Sequence, residues 1–480
     1  MLFSKIHITR RFCKLLSLTL LIACAVILIS LEIISRGAAQ IFNHAMANQD
    51  MLRGSIKVER LISDITGHVY FTELTWYDPE GNLILEIPSG DFRVNVWDVL
   101  TKNFKSTTIR ELNVNNAAIS VHFSDDMKVD FVRPSPDMDQ LKKESKDWRE
   151  TVNLSSLDAI QRHEVGQWRR EHRQQKLQKN WQNFNAQGKR LKLQLNAHDC
   201  RIEIFYRERH YLMSHVQMAV NLDTSKKATL DISIGGFGGT MIGDAISLNG
   251  SVDFTKDPEP ECNTALVLYQ IDPSSLGFGM NIHDKMTLST YFTGPVSHPI
   301  GTGKVEMDEL HIPGLDFANV EGNVYYENSL LKFTDVTADV YKGKLSAYGD
   351  YDLDTRFYNL YGHGTDLHTE SALPKSGLHT SVDLDLEIHS QGSAKNTVSS
   401  GSFVSGPGRY HLLPFDSISG KVTDAYRDLH FYDAVVKFPG FTVSTDAFHI
   451  TNGKLSLSPI KLTSPDGQPL YTYNPDSPNP

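Results

Sequence analysis

Cysteine is scarce in this sequence, with four residues in 480. Cys13 and Cys24 lie at or inside an apolar amino-terminal segment, so only Cys200 and Cys262 remain for the rest of the chain. At most one internal disulfide is then possible there, which excludes a scaffold stapled by disulfides. The spacing of this pair has no metal-binding signature, and the two thiols are expected to be unpaired or paired incidentally.

An excess of positive charge is also lacking. The chain carries 47 Lys and Arg against 57 Asp and Glu, a formal net charge of −10. Binding to nucleic acid requires a concentrated basic surface, so no nucleic acid partner is expected. Hydrophobic residues make up 40% of the chain and charged residues 22%, a composition that favours a packed structure over global disorder.

Motifs of catalysis and cofactor binding are missing as well. The chain has no G-x-S-x-G elbow, no H-E-x-x-H helix and no C-x-x-C pair. The glycine run 235–239 (GGFGG) has neither the context of a dinucleotide site nor a Walker lysine, and it is interpreted as a bend or bulge in a sheet. The sequence therefore predicts no enzyme and no cofactor.

Two polar clusters match metal sites only in part. The alternating carboxylates of 350–354 begin like a calcium loop, but the glycine and the acidic residue required later in that loop are absent. His363, Asp366 and His368 could form a metal trio, yet no fourth ligand is suggested. We expect strand and turn residues in both places and no metal.

Long hydrophobic runs are absent except for one. Leu15–Ile34 (LLSLTLLIACAVILISLEII) is twenty residues long and contains a single charge, Glu32. A helix of this length, at ~1.5 Å per residue, crosses the ~30 Å hydrocarbon core of a bilayer. Four basic residues precede it: Lys5, Arg10, Arg11 and Lys14. The positive-inside rule predicts a single-pass anchor at 15–35, with residues 1–14 in the cytoplasm and the bulk of the chain outside it.

Two processing alternatives remain open for this segment. Leu21–Cys24 (LIAC) resembles a lipoprotein cleavage box, although apolar sequence continues beyond it. Gly37 and Ala39 could satisfy a signal peptidase, although the apolar core is longer than the ~7–15 residues of a usual signal peptide. An uncleaved anchor is favoured because of that length.

After the anchor, the dominant hydrophobic period is two, which is typical of strands with one apolar and one wet face. The alternation is clearest in 381–389 (SVDLDLEIH). Such strands predict a mainly β fold with an antiparallel sheet, because doubly buried parallel strands would be apolar throughout. The apolar sides of these strands supply the groove candidates: Leu191, Leu193, Leu195, Leu230, Ile232, Ile234, Val382, Leu384, Leu386, Ile388, Leu455 and Leu457.

One segment, 133–190, lacks this period. It carries thirteen Lys and Arg against eight Asp and Glu, a local charge of +5, and its later part predicts a long exposed helix with an N-cap at Ser156. Two interpretations stay open: a solvated helical insertion packed on an edge of the sheet, or a basic aromatic helix that touches anionic headgroups or a partner protein. The second interpretation assigns the contact to four residues: Trp168, Arg169, Arg170 and Trp181.

A faint internal repeat appears in the second half of the chain. VEGNV begins at Val320 and ISGKV at Ile418, while LKFTDV begins at Leu331 and LHFYDA at Leu429. Both matches have an offset of 98, and such a repeat predicts similar strand-pair cassettes that stack in one direction and present the same face. After Thr463 the sequence is rich in Pro and Asp, and a disordered tail is predicted for 463–480.

In the order of these parts, the chain resembles the AsmA-like family, which includes the inner-membrane subunit (TamB) of the translocation-and-assembly module. Residues 65–123 resemble the family's opening module, which is similar to the chorein-like start of lipid-transfer proteins and contains a D-P-x-G turn at Asp78–Gly81. Residues 301–353 resemble the family's repeating phrase, with Gly322, Asp335, Gly343 and Gly349 as punctuation.

This resemblance implies an elongated, curled (U-shaped) antiparallel sheet with an apolar concave face. The expected order is a cytoplasmic start (1–14), anchor (15–35), chorein/AsmA-like β module (36–132), basic helical insertion (133–190), repetitive β groove (191–462) and tail (463–480). The implied function is to bind or conduct phospholipid for outer-membrane and envelope maintenance, from a periplasmic position on the inner membrane. Expected partners are that membrane, phospholipid and other envelope proteins. The alternatives are an assembly factor for outer-membrane β-proteins that acts by strand addition around 455–462 and, less favoured, a β-scaffold hydrolase or metal enzyme.

Overall fold

The structure is a computed structural model that describes residues 39–40, 42–43, 47, 53–64, 66–95, 97, 109–123, 147–152, 156–186, 190–206, 208–277, 280–312, 315–426, 428–451 and 454–475. The predicted anchor at 15–35 lies outside these residues. No helix among the described residues combines the length and the apolar character that a membrane span requires.

The part of the chain that the structure describes is mainly β, as the sequence predicted, with 65% of those residues in strands and 12% in helices. It divides into two compact units. Unit 1 contains 1–144, 190–225 and 230–234, and unit 2 contains 145–189, 226–229 and 235–480. Strand β9 (Lys227–Ile234) contributes residues to both.

Unit 1 is a sheet packed around one apolar cluster. Its strands are β1 (Ser55–Lys57), β2 (Arg60–Ser63), β3 (His68–Tyr77), β4 (Leu83–Val94), β5 (Ile109–Asn115), β6 (Ala118–Phe123), β7 (Lys192–Tyr206) and β8 (Arg209–Asp223). The cluster centres on Phe71, Val114 and Val216, and Ala39 is buried with it. Asn43 holds the segment after Ala39 in place, because its amide bonds both the N–H and the carbonyl of Val58, at 2.8 and 3.0 Å.

Unit 2 holds the rest of the strands and three helices. Its helices are α1 (Trp148–Thr151), α2 (Ala159–Ala186) and α3 (Thr369–Ala372). Its strands are β10 (Gly236–Gly239), β11 (Ala245–Asp253), β12 (Glu261–Ile271), β13 (Met286–Pro295), β14 (Ile300–Ile312), β15 (Leu315–Glu327), β16 (Leu330–Val340), β17 (Gly343–Asp352), β18 (Phe357–His368), β19 (Leu378–His379), β20 (Ser381–Gln391), β21 (Thr397–Ser405), β22 (Gly408–Tyr410), β23 (Leu413–Phe415), β24 (Ser417–Ala425), β25 (Asp428–Phe438), β26 (Phe441–Thr451), β27 (Lys454–Leu457), β28 (Ile460–Thr463) and β29 (Pro469–Tyr473).

Nearly all neighbouring strands in the two units are antiparallel, as predicted. From β11 to β18 each strand pairs with the next, and β18 then pairs with β20, β20 with β21 and β21 with β24. Three short strands, β19, β22 and β23, form a separate small sheet. The exception is β7, which runs parallel to β5 and β6. After the 133–190 insertion the chain returns to unit 1 and adds β7 beside β5 and β6. Strands β7 and β8 therefore belong to unit 1, although the sequence analysis placed the groove region at 191–462.

β-Bulges interrupt the ladders at polar residues. Asp199, Asn319, Asp335, Asp366 and Asp433 lie inside strands with φ between 50° and 54°, next to shifts in register. Asp and Asn tolerate this left-handed conformation better than branched residues do. A bulge adds one unpaired residue, bends its strand and increases the local twist, so these positions curve the sheet within each unit.

The offset of 98 seen in the sequence recurs in the strands. Strand β25 begins and ends 98 residues after β16, and the bulge residues Asp335 and Asp433 have the same offset. Asn323 donates a hydrogen bond to Asp335 at 3.0 Å, and Lys421, 98 residues later, donates to Asp433 at 3.0 Å. The repeat is therefore a structural cassette built around a bulged aspartate.

Two local predictions are wrong. The predicted N-cap Ser156 does not cap α2, because the carboxylate of Asp158 accepts the hydrogen bond from the N–H of Gln161 at 2.9 Å. Part of the predicted disordered tail is ordered, since β29 pairs with β28 and places Tyr471 opposite Leu462. The strand was missed because its sequence, PLYTY, is short and is surrounded by polar residues and proline.

We expect Asp433→Val to destabilise unit 2 by about 1–2 kcal/mol, because a β-branched residue is strained at this left-handed φ. Asp433→Gly keeps the backbone conformation and loses only an exposed contact with Lys421, which contributes little. Denaturant unfolding of the two variants measures the difference. Equal losses would show that the bulge conformation does not set the cost.

Candidate functional site

One side of the unit 2 sheet collects apolar side chains from successive strands. Leu384 of β20 lies opposite Gly364 of β18 and opposite Phe403 of β21. Residues directly opposite in an antiparallel pair point to the same side of the sheet. The alternation read from 381–389 therefore continues across the neighbouring strands and forms one surface, which we call the apolar face.

A single row of this face crosses unit 2 from β11 to β27. Each member lies opposite the next, except where bulges offset Gly322 from Val336, and those two still approach each other closely. The members are Ile246, Leu268, Leu288, Val305, Gly322, Val336, Ala347, Gly362, Leu386, Gly401, Val422, Phe431, Phe448 and Leu457. Every member of this apolar row is a hydrophobic residue or glycine.

The apolar face is long compared with a lipid chain. Twelve consecutive pairings join β11 to β26. At ~4.8 Å per pairing they span an arc of roughly 58 Å. This arc exceeds the ~30 Å hydrocarbon core of a bilayer, so several acyl chains could lie along it.

Most of this surface is not sealed by other parts of unit 2. Leu384, Leu386, Phe403, Phe431 and Phe448 are only half-buried. A closed cluster occurs at one end of the middle strands, where Met307, Phe317, Val320, Ala338 and Val340 are buried together. Away from this cluster the apolar side chains keep part of their surface in water, which is unusual for a protein core.

Glycines shape the floor of the face. A methyl group at Gly301 would come within 2.7 Å of the ring of Phe292, and one at Gly420 within 2.9 Å of the ring of Phe403. Each ring therefore lies over its glycine instead of standing away from the sheet. The arrangement lowers the side-chain bulk on this side and leaves room above the floor.

The opposite side of the same strands is polar and wet. His363 lies 2.6 Å from the carboxylate of Asp385, and Lys421 lies 3.0 Å from that of Asp433, with all four side chains at least half exposed. His368 lies 3.7 Å from Asp366 and 3.2 Å from Glu370, but His363 pairs with Asp385, so the predicted trio of His363, Asp366 and His368 does not come together as a whole. Among the residues that the structure describes, no group of three or more His, Cys, Asp or Glu is arranged to hold a metal ion.

The carboxylates of 350–354 serve the fold. Asp352 accepts hydrogen bonds from the N–H groups of Asp354 and Thr355 and so forms the β17–β18 turn. Asp350 accepts a hydrogen bond from the amide of Asn359 on the next strand, at 3.0 Å. Asp350 and Asp352 thus have strand and turn partners, and Asp354 pairs with Arg170 of the long helix α2.

The predicted groove residues divide between the units. Leu193 and Leu195 of β7, with Leu230, Ile232 and Ile234 of β9, are half-buried residues of unit 1. Leu191 precedes β7 and is 38% exposed. In unit 2, Val382, Leu384, Leu386 and Ile388 share the apolar face through their partners on β18 and β21. Leu455 and Leu457 of β27 lie opposite Ile450 and Phe448.

The sequence analysis missed several members of the apolar face. Phe403, Val422, Phe431 and Phe448 lie in strands where serine, threonine, histidine or a bulge weakens the alternation. A usable signal was the repeat, because the motif LHFYDA contains Phe431 in the position that Phe333 has in LKFTDV.

Helix α2 lies along one row of turns in unit 2. A helix of 28 residues is about 42 Å long at ~1.5 Å per residue, enough to cross several hairpins. Its contacts follow the turns in reverse chain order: Trp181 with Phe254, Gln178 with Glu259, Gln174 with Asn328, Arg170 with Asp354, and Arg162 with the carbonyl of Gln391. The helix therefore ties together hairpins that are far apart in sequence.

The four residues proposed for membrane or partner contact all have contacts inside unit 2, two with the turns and two within the insertion itself. Arg169 donates hydrogen bonds to the carbonyls of Arg149 and Val152, at 2.6 and 2.7 Å, and burial lowers the pKa of its guanidinium. Arg170 pairs with Asp354 and is 17% exposed. Trp168 stacks on His172 and against the guanidinium of Arg149, while Trp181 packs near Phe254. The contacts of Arg170 and Trp181 with turns of the sheet therefore favour the first interpretation, a helical insertion packed on the sheet.

The two cysteines outside the amino-terminal segment are free thiols. Cys200 is buried in unit 1, and Cys262 lies on the apolar face, opposite Val252 and Gly294. Burial raises the pKa of both thiols, so both are less ionised at neutral pH than an exposed cysteine.

No family model, no curated protein and no solved structure matches this chain. The apolar face is therefore the feature from which a function is inferred.

We expect Arg170→Gln to loosen α2, because it removes contacts with Asp354 at 3.1 Å and Asp352 at 3.6 Å. Amide hydrogen exchange in 159–186 should accelerate about tenfold, the equivalent of ~1.4 kcal/mol. Arg173→Gln is the matched control, since Arg173 is 61% exposed and reaches Asp354 only at 3.7 Å. If both variants exchange like the wild-type protein, Arg170 does not hold the helix.

Proposed function

We propose that the apolar face binds the acyl chains of phospholipid, and that the chain is a lipid-binding or lipid-conducting protein of the AsmA-like type. The observation that carries this proposal is the apolar row: fourteen consecutive strand positions that are all hydrophobic or glycine. A pocket for a compact ligand would need a few convergent polar groups. A continuous apolar surface suits a flexible hydrocarbon chain instead.

The energetics favour hydrocarbon as the occupant. Each methylene group removed from water contributes about 0.8 kcal/mol, without any directional contact. The half-buried side chains of Leu386, Phe431 and Phe448 offer the surface for this burial. Neighbouring positions along the row have nearly equal chemistry, so a bound chain can move along it without a large barrier.

The proposal includes the curled sheet that the resemblance implies. Bulges at Asp335, Asp366 and Asp433 support it, because they bend the strands that carry the apolar face. With that face on the concave side, acyl chains are shielded while headgroups remain in water at the open side. The predicted anchor at 15–35 would hold the protein in the inner membrane, with the sheet in the periplasm, where it serves outer-membrane and envelope maintenance.

A second candidate function is strand addition to a partner, such as an outer-membrane β-protein. The predicted site at 455–462 is not the outermost part of the sheet, because β28 is covered by β29. The observation in favour is β29 itself: all five of its residues are exposed, and none is charged. Exposed edges of this kind accept an added strand.

Site-specific photocrosslinking of the full chain in native membranes tests lipid binding. A benzophenone side chain at Phe403, on the apolar face, should capture phospholipid that mass spectrometry identifies. The same group at Val398, on the polar side, should not. Capture of outer-membrane proteins through β29, without lipid at Phe403, would favour strand addition instead.

Leu386→Asp should reduce that lipid capture at least about fivefold, because an ionised carboxylate in the row is costly to desolvate under hydrocarbon. The matched control is Val398→Asp, which adds the same carboxylate on the polar side, opposite His389. Thermal unfolding of both variants separates lost binding from lost folding. Unchanged lipid capture in a folded Leu386→Asp variant would contradict the assignment of this face.

Cys262 offers a natural reporter of occupancy. In a chain with Cys13 and Cys24 replaced by alanine, lipid extraction should increase maleimide labelling of Cys262 severalfold, because lipid covers this side of β12. Cys200 is 3% exposed and should remain slow in both states. Mass spectrometry of the two peptides gives both rates. Equal labelling of Cys262 before and after extraction would place bound lipid elsewhere.

A further inference from the structure

We propose that a small flap in unit 2 docks on an anionic lipid surface through an exposed apolar tip. The flap consists of residues 369–380 and 406–416, which include α3 and the separate sheet of β19, β22 and β23. It occupies the connections from β18 to β20 and from β21 to β24. This inference does not depend on lipid on the apolar face, so the two proposals can fail separately.

The base of the flap is fixed. The hydroxyl of Thr369 donates to the carbonyls of Leu378 and Thr380, both at 3.0 Å, and accepts from the N–H of Thr380 at 3.0 Å. The hydroxyl of Thr380 donates to the carbonyl of Gly406 at 3.0 Å and so joins the two segments. Both threonines are buried, and Phe415 is 3% exposed. The flap is therefore a formed element with its own small core.

The tip of the flap has the opposite character. Leu412 is 93% exposed, the highest value among the exposed large hydrophobic side chains of the described residues. Tyr410 and Leu413 lie opposite each other at the end of the β22–β23 hairpin, and both are at least half exposed, as is Leu373 after α3. These side chains bury little surface within the protein, so packing of the flap does not explain why they are apolar.

The charge around the tip is basic. Lys375 and Arg409 are exposed beside the apolar residues, together with His379 and His411. Two acids also belong to the flap, near the ends of its two segments in sequence. Glu370 is half-buried in α3 and contacts His368 at 3.2 Å. Asp416 begins the return to the main sheet, where its N–H donates to the carbonyl of Lys437.

A lipid surface fits this arrangement better than a protein partner. A stable protein interface buries about 800 Å² on each side, far more than a few side chains on a two-residue turn provide. A bilayer accepts isolated protruding leucines in its hydrocarbon boundary and tyrosine at the headgroup level. Lys375 and Arg409 complement anionic headgroups, which adds electrostatic attraction. The occupant is therefore a membrane that contains anionic phospholipid.

Fluorescence at the tip tests the docking. The full chain is reconstituted in nanodiscs, with its four native cysteines replaced and the fluorophore NBD attached at Leu412→Cys. Vesicles of phosphatidylcholine with phosphatidylglycerol should shift NBD emission to the blue and raise its intensity about twofold or more, because the probe leaves water for the acyl boundary. Doxyl-labelled lipid in the docked membrane, either vesicle or nanodisc, should quench it. NBD at Val398→Cys is the control and should not respond.

Variants separate the apolar and basic contributions. Leu412→Asp with Leu413→Asp should weaken vesicle binding by about tenfold or more, while Val398→Asp should not. Lys375→Glu with Arg409→Glu should remove the preference for phosphatidylglycerol over pure phosphatidylcholine. The single variant Leu412→Asp should fold normally, because the side chain of Leu412 is almost wholly in water. Its effect on vesicle binding can therefore be measured even if the double variant fails to fold.

Two outcomes would overturn the proposal. In the first outcome, NBD emission at position 412 does not shift in the presence of the vesicles or of the nanodisc, and doxyl-labelled lipid in either membrane does not quench it. The other is a blue shift that depends on protein concentration and occurs without quenching by lipid, which would identify a second copy of the chain as the occupant.

Discussion

The hydrogen-bond register between neighbouring strands is the constraint on which the apolar face depends. Side chains alternate with a period of two, so a slip of one residue would move a strand's hydrophobic set to the wet side. Bulges threaten this arrangement because each inserts one extra residue. The sequence compensates in β16, where the apolar positions change parity between Phe333 and Val336, across the bulge at Asp335. The left-handed φ of that aspartate keeps the face continuous while the strand bends.

Local alternation predicted much of the sheet but not its finer geometry. The strand in 381–389 was evident because four apolar and four polar residues alternate without interruption. The parity beyond each bulge was not evident, since left-handed residues such as Asp335 are recognised only from the backbone. The flap was missed because its strands, two or three residues long, are too short to show a period. The parallel return of β7 beside β5 follows from long-range pairing of Leu112 with Leu195, which no local pattern encodes.

The 133–190 region shows the same limit for helices. Its composition predicted a long helix, and α2 confirms that prediction. This composition could not identify what the helix contacts, because many of its partners are polar groups in distant turns. Arg170 bonds Asp354, a residue 184 positions away. Polar docking of this kind depends on where hairpins end in space, and this information is absent from the helix sequence.

Helix α2 precedes each of the hairpins named above as its contacts, and this order has a consequence for biogenesis. When the ribosome has completed α2, the turns around Phe254, Asn328, Asp354 and Gln391 have not yet been synthesised. The helix must therefore remain undocked while some two hundred further residues emerge and pair, and closing such distant contacts is slow. During that interval Arg162 and Arg170 lack the partners that they have in the finished unit, Gln391 and Asp354, which makes this segment a natural substrate for a chaperone. Docking of α2 can then be complete only after the turn that follows β20 has formed.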